Sequence, residues 1–178
     1  MALLAEEIVE EWLNRQGYFT IRGIKMGVQE IDLLAVKYLK AGKVECRHLE
    51  VQASMRPVSY ISRVPKKDQK AGRAANSAKR SDDELVEGVA EWVDKKFRRP
   101  DKNTLMTNLW IGNWSSELVV NVVKSEGELE LIASHGIKIL RLHEIVSSLG
   151  KDRFVVGSAS GADFVDLIQM GSHVQGNT

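Results

Sequence analysis

The chain has 178 residues, 43% hydrophobic and 28% charged, with a formal net charge of +1. That length supports one domain with a real core, and the near-neutral balance excludes a global attraction to polyanions, so any nucleic-acid contact must rest on local clustering. One cysteine, Cys46, excludes an internal disulfide framework and, with few histidines, argues against structural zinc. No run is apolar and long enough to span a membrane, and the acidic start at Glu6 and Glu7 is unlike a basic leader, so the expectation is an intracellular, cytoplasmic protein.

Ala2 to Gln16 reads as an amphipathic helix. Leu4, Ala5, Ile8, Val9, Trp12 and Leu13 recur at helical spacing, with Glu7, Glu10 and Glu11 mainly opposite. Glu6 falls at the edge of the apolar arc, placed to lean over the core, although the helix dipole also favours an N-terminal acid. Gly17 supplies a left-handed cap. Tyr18 to Ile24 reads as a strand and Lys25-Met26-Gly27 as a turn.

Two runs rich in Leu, Ile and Val then flank Lys40-Ala41-Gly42-Lys43, the pattern of a β-hairpin. Asp32, Glu50 and Gln52 interrupt these apolar runs, and acids rarely enter strands without a partner or a metal. A three-residue loop of Lys40, Ala41 and Gly42 pairs Leu39 with Lys43. It sets Asp32 opposite Glu50, with Gln52 on the same face. A four-residue loop would put the two acids on opposite faces. Aspartate beside glutamate suits a hard cation such as Mg²⁺, to which Val51 can add its backbone carbonyl. The other reading is two solvated acids on an open sheet face, and the hairpin alone does not separate the two. His48 shares the Glu50 face, as a ligand or proton carrier or, more commonly for a lone strand histidine, as a packed or solvated residue.

Arg56 to Arg80 is the most basic region, with eight Lys and Arg against Asp68 alone. Ala71, Ala74, Ala75 and Ala78 predict a helix that carries Lys66, Lys70 and Arg73 on one side. Such a cluster suits phosphate binding or a solvated face. Ser81 to Glu84 is a capping box, and the helix it starts keeps a helical period through Leu85, Val89, Trp92, Val93 and Phe97 up to Pro100. Trp92 reads as core, and Lys95 and Lys96 as partners of the helix dipole. Leu105 to Gly112 and Leu118 to Lys124 read as strands joined through Asn113 to Ser116. A helix from Ser125 to a Gly136 cap, a strand Ile137 to Leu142 and a helix His143 to Leu149 follow. Ser160 opens a last helix, Gly161 to Met170, and the tail 171–178 reads as disordered. Alternating strands and helices make the class α/β with a mixed sheet, in a single domain over 1–170.

Glu6, Gly17, Asp32 in Glu-Ile-Asp-Leu-Leu-Ala, and Glu50-Val51-Gln52 together resemble the PD-(D/E)XK nuclease superfamily, with the layout of archaeal Holliday junction resolvases. The resemblance runs from about Glu6 to Leu149 and departs at Gln52, where the family most often has Lys. It implies a restriction-endonuclease-like mixed sheet flanked by helices and a metal-dependent DNA endonuclease, commonly a homodimer. Asp32, Glu50 and the Val51 carbonyl would bind Mg²⁺, with Mn²⁺ as a substitute. Glu6 and Gln52 would complete the catalytic set, and Lys66, Lys67, Lys70 and Arg73 would grip DNA. Lys70, on a nearby helix, is a candidate stand-in for the lysine missing at Gln52, although nothing in the sequence requires it. The alternative is an inactive nuclease-fold module that binds nucleic acid or a protein partner.

Overall fold

The computed structural model describes residues 2–54, 59–150 and 155–156. Helix α1 (Ala2–Arg15) leads into an antiparallel meander of β1 (Phe19–Met26), β2 (Gln29–Tyr38) and β3 (Val44–Gln52). Three helices follow, α2 (Lys66–Lys70), α3 (Asp82–Phe97) and α4 (Pro100–Leu109). Then come β4 (Trp114–Val120), α5 (Glu126–Ser134), β5 (Lys138–Arg141) and α6 (Leu142–Leu149). The sheet has the order β1-β2-β3-β4-β5, parallel from β3 to β5. The class is α/β, with a mixed sheet flanked by helices.

Each sheet face carries its own helices. On one face, Val9 and Leu13 of α1 pack with Ile145 and Leu149 of α6 over Leu33, Leu49, Val51 and Val119. On the other, Val89, Val93 and Phe97 of α3 and Leu129 and Ile132 of α5 cover Leu118 and Val120. Met106 of α4 covers Ile31 and Leu34 on that side. A buried ion pair ties β3 to β4, Arg47 donating to Glu117 at 2.8 and 2.5 Å. Glu11, on the polar side of α1 by pattern, is instead buried and accepts from Arg15 at 2.7 Å.

The hairpin register is the one a three-residue loop requires. Tyr38 pairs with Val44 and Leu33 with Leu49, and the Leu39 N–H donates to the Lys43 carbonyl at 2.7 Å. Both Ala41 (φ 64°) and Gly42 (φ 75°) are left-handed in that loop. The ladder then stops before Asp32, and the β1–β2 ladder also skips from Arg22↔Leu33 to Ile24↔Ile31. Gly23, opposite that gap, has φ 68°, a conformation that a side chain would strain. Asp32 therefore sits where β2 leaves regular pairing on both sides.

Several expectations change. Leu105 to Gly112 is not a strand: Pro100 opens α4 rather than ending a unit, because its fixed φ suits a first turn. Trp114 to Ser116 belong to β4 and are not a connection. The alanine-rich stretch after Lys70 is not helical; Gly72 turns left-handed at φ 96° and ends α2 after five residues. The last helix predicted over 161–170 and the tail 171–178 lie outside the described residues. Among the described residues, no helix is long and apolar enough to cross a membrane.

Candidate active site

A cavity of about 310 Å³ opens at the sheet end where β2 begins and β3 finishes. Glu6 from α1, Glu30 and Asp32 from β2, Val51 and Gln52 from β3, and Tyr60 and Ile61 beyond it line the walls. Three of the four residues expected to be catalytic thus share one cavity. Asp32 is 8% exposed, and its Oδ2 accepts the Val51 N–H at 2.8 Å, so a side chain replaces the missing ladder acceptor. Burial, and then the Glu50 charge, push the Asp32 carboxyl up to about 7, although the Val51 N–H opposes the shift. Glu6 is raised too, first by burial and then by Glu30, with Arg22 opposing.

Glu50 stands apart from that cavity and is fully buried. Its Oε1 accepts from Lys102 Nζ at 2.7 Å and its Oε2 from Lys96 Nζ at 2.5 Å. His48 Nε2 lies 3.3 Å from Oε1. Burial alone would raise this carboxyl, but the His48 hydrogen bond and the two ammonium groups together hold it at about 2. Burial lowers His48, leaving a neutral ring. A carboxylate only accepts, so the ring proton belongs on Nε2. Nδ1 is then a bare acceptor, buried and without a partner among the described residues. The ring packs on Phe97 at 5.0 Å between centroids, so His48 is a packed residue.

Lys96 and Lys102 are the residues that sequence reasoning missed at this site. A signal was available: Lys96 continues the stripe of Val89, Trp92 and Val93 at helical spacing, and Lys102 precedes the buried Met106 by four. A lysine on an apolar stripe needs a buried carboxylate, and Glu50 is that carboxylate. Lys96 is the accessible one, its side chain 22% exposed against 1% for Lys102. Burial lowers Lys96, but Glu50, Asp32 and Glu30 outweigh it and raise the ammonium, which stays charged.

The basic region is rearranged. Lys67 pairs with Glu87 and Arg73 with Glu84, so two of the four expected DNA contacts are answered by the chain's own acids. Lys66 and Lys70 are exposed, and Lys70 is not among the groups at Glu50. The wall at Ile61 and Ser62 is fixed from below. Buried Glu128 accepts the N–H groups of Ile61 and Ser62 at 2.7 and 2.8 Å and the Ser62 hydroxyl at 2.6 Å. Arg80 donates to the Ser62 carbonyl at 2.8 Å and stacks over Tyr60.

Among the described residues, no three His, Cys, Asp or Glu side chains form a ready-made metal cage. The donors at the cavity are all oxygen, and like-charge repulsion there is what a dication relieves. That fits Mg²⁺, which keeps several waters and takes one or two carboxylates. No family model and no curated protein matches the chain. A crystal structure of a protein of unknown function, AF1548, is similar at 14% identity and a TM-score of 0.45, over 95% of this chain and 79% of that one.

Proposed function

We propose that the protein is a metal-dependent DNA endonuclease. The observation that carries this reading is the convergence of Glu6, Asp32 and Gln52, from three separate elements, on one cavity whose aspartate is pushed up to about 7. Asp32, with the Val51 carbonyl, would hold Mg²⁺, which when bound supplies an activated water and charge stabilisation at the phosphate. The chain's own groups supply the rest. Gln52 orients water or phosphate through its amide. Glu6, whose proton affinity burial and Glu30 raise, takes up the water's proton. Lys96 stays an ammonium and answers charge on the phosphate in place of a lysine at position 52. Lys102, locked at Glu50, keeps that carboxylate neutralised when Lys96 turns away.

One observation favours the inactive binding module: both oxygens of Glu50 are occupied by lysines, so it offers no free ligand as it stands. Cleavage assays on supercoiled plasmid, linear duplex, single strand and four-way junction separate the readings. Cutting that needs Mg²⁺ or Mn²⁺ and disappears in Asp32→Ala supports the nuclease. Binding without cutting on every substrate supports the module.

A further inference from the structure

A second cavity, of about 370 Å³, adjoins the first, and Gln52 and Ile61 line both. Its character is opposite. Arg63, Lys66, Lys95 and Lys96 bring four cations to its walls, and Glu91 is the acid among its lining residues. Glu91 is occupied, accepting the Lys66 backbone N–H at 3.1 and 3.2 Å with its two oxygens. Arg63, Lys66 and Lys95 are exposed, and no ion pair to their side chains is present among the described residues. That contrasts with Lys67 and Arg73 outside the cleft, which are paired. The cleft is also built to a fixed width. Gly88 of α3 lies so close to the segment before α2 that a Cβ there would meet the Arg63 carbonyl at 2.4 Å. With Glu128 holding Ile61 and Ser62, this pins the Arg63 backbone to α3.

From this juxtaposition we propose that the cleft between α3 and the segment 61–66 binds the phosphates of a single DNA strand and leads it past Gln52 into the acidic cavity. The inference rests on the nuclease reading for what happens in the second cavity, but not for binding in the first. A cleft with unanswered cations takes phosphodiester, and neighbouring carboxylates repel it, so the strand is fed toward the acidic cavity only where a bound dication cancels that repulsion. The half-buried Trp92 forms part of the cleft wall, where a base can lie against it.

The test is fluorescence anisotropy of a labelled single-stranded oligonucleotide with the full chain in chelator, titrated over salt. Arg63→Ala, Lys66→Ala and Lys95→Ala should each lower the slope of log affinity against log salt by about 0.7, the value for one lost contact to a single strand. Lys138→Ala, an exposed lysine on β5, should leave the slope unchanged. Slopes that stay the same in the three cleft variants, no binding by the unaltered protein, or an equal loss in Lys138→Ala would each overturn the proposal. A hairpin duplex that binds with the same dependence on the three residues would overturn the single-strand assignment. Cleavage is scored separately. If the cleft variants behave as stated and no substrate is cut, the nuclease reading fails and the strand-binding cleft stands. If substrates are cut while the slopes do not move, the cleft fails and the nuclease stands.

Discussion

Replacing Asp32 with asparagine should make the protein more stable at neutral pH while removing its proposed activity. The Asp32 carboxyl is raised from 3.8 to about 7 in the folded state. The folded protein therefore binds this proton more tightly than the unfolded chain does. Its favourable contribution is complete below the unfolded value and is lost as pH rises through the folded one. At about 1.4 kcal/mol for each unit, ionising Asp32 costs the fold about 4 kcal/mol by pH 8. Asparagine has no charge to bury, and its carbonyl oxygen can still accept the Val51 N–H. Urea unfolding of both proteins at several pH values reads the difference. Asp32→Asn should exceed the parent by several kcal/mol near pH 8, with the gain shrinking to nothing near pH 4. Added Mg²⁺ should then close the gap by stabilising the parent alone. A variant that is less stable than the parent near pH 8, or a gain that does not change with pH, would refute the account of the site as a store of unrelieved negative charge.

Two further outcomes test the surroundings. Lys102→Met keeps the stem but removes one of the two ammonium groups at a fully buried carboxylate, and should cost about 3 kcal/mol in urea unfolding. Gly88→Ala should cost about 1–3 kcal/mol by forcing α3 from the Arg63 carbonyl, and should weaken oligonucleotide binding although it removes no charge.

The parts of this molecule that were legible in sequence are those set by near neighbours. The hairpin register followed from Lys40-Ala41-Gly42 and side-chain alternation, with Leu33 paired to Leu49, although the ladder ends there and Asp32 and Glu50 are not paired across it. The capping box at Ser81 is formed by both of its reciprocal hydrogen bonds. Gly17 and Gly136 take the left-handed cap positions that their places after helices demand. Where reading failed, distant packing decided. Leu105 to Leu109 is helical because a proline at the first turn and burial of Met106 against Ile31 and Leu34 outweigh its strand-like residues. The alanines after Lys70 have helical propensity but no apolar face to bury, and Gly72 breaks them. Glu50 stood out as an acid in an apolar run and Lys96 and Lys102 as lysines on apolar stripes, but their pairing did not, because the lysines reach Glu50 across 46 and 52 residues of chain.

Those separations have a consequence for the order of assembly. The meander β1-β2-β3 pairs only neighbouring strands, and such local contacts form early, whereas β3 must wait for β4 across the whole α2–α4 region to gain its other edge. Asp32 and Glu50 both belong to this early-forming meander, while the lysines that make Glu50 tolerable arrive with the second half of the chain. Until α3 and α4 dock, the centre of the sheet carries an acid that water must still solvate. A nascent chain that has emerged only as far as β3 would carry both carboxylates on neighbouring strands yet keep β3 hydrated and unsealed.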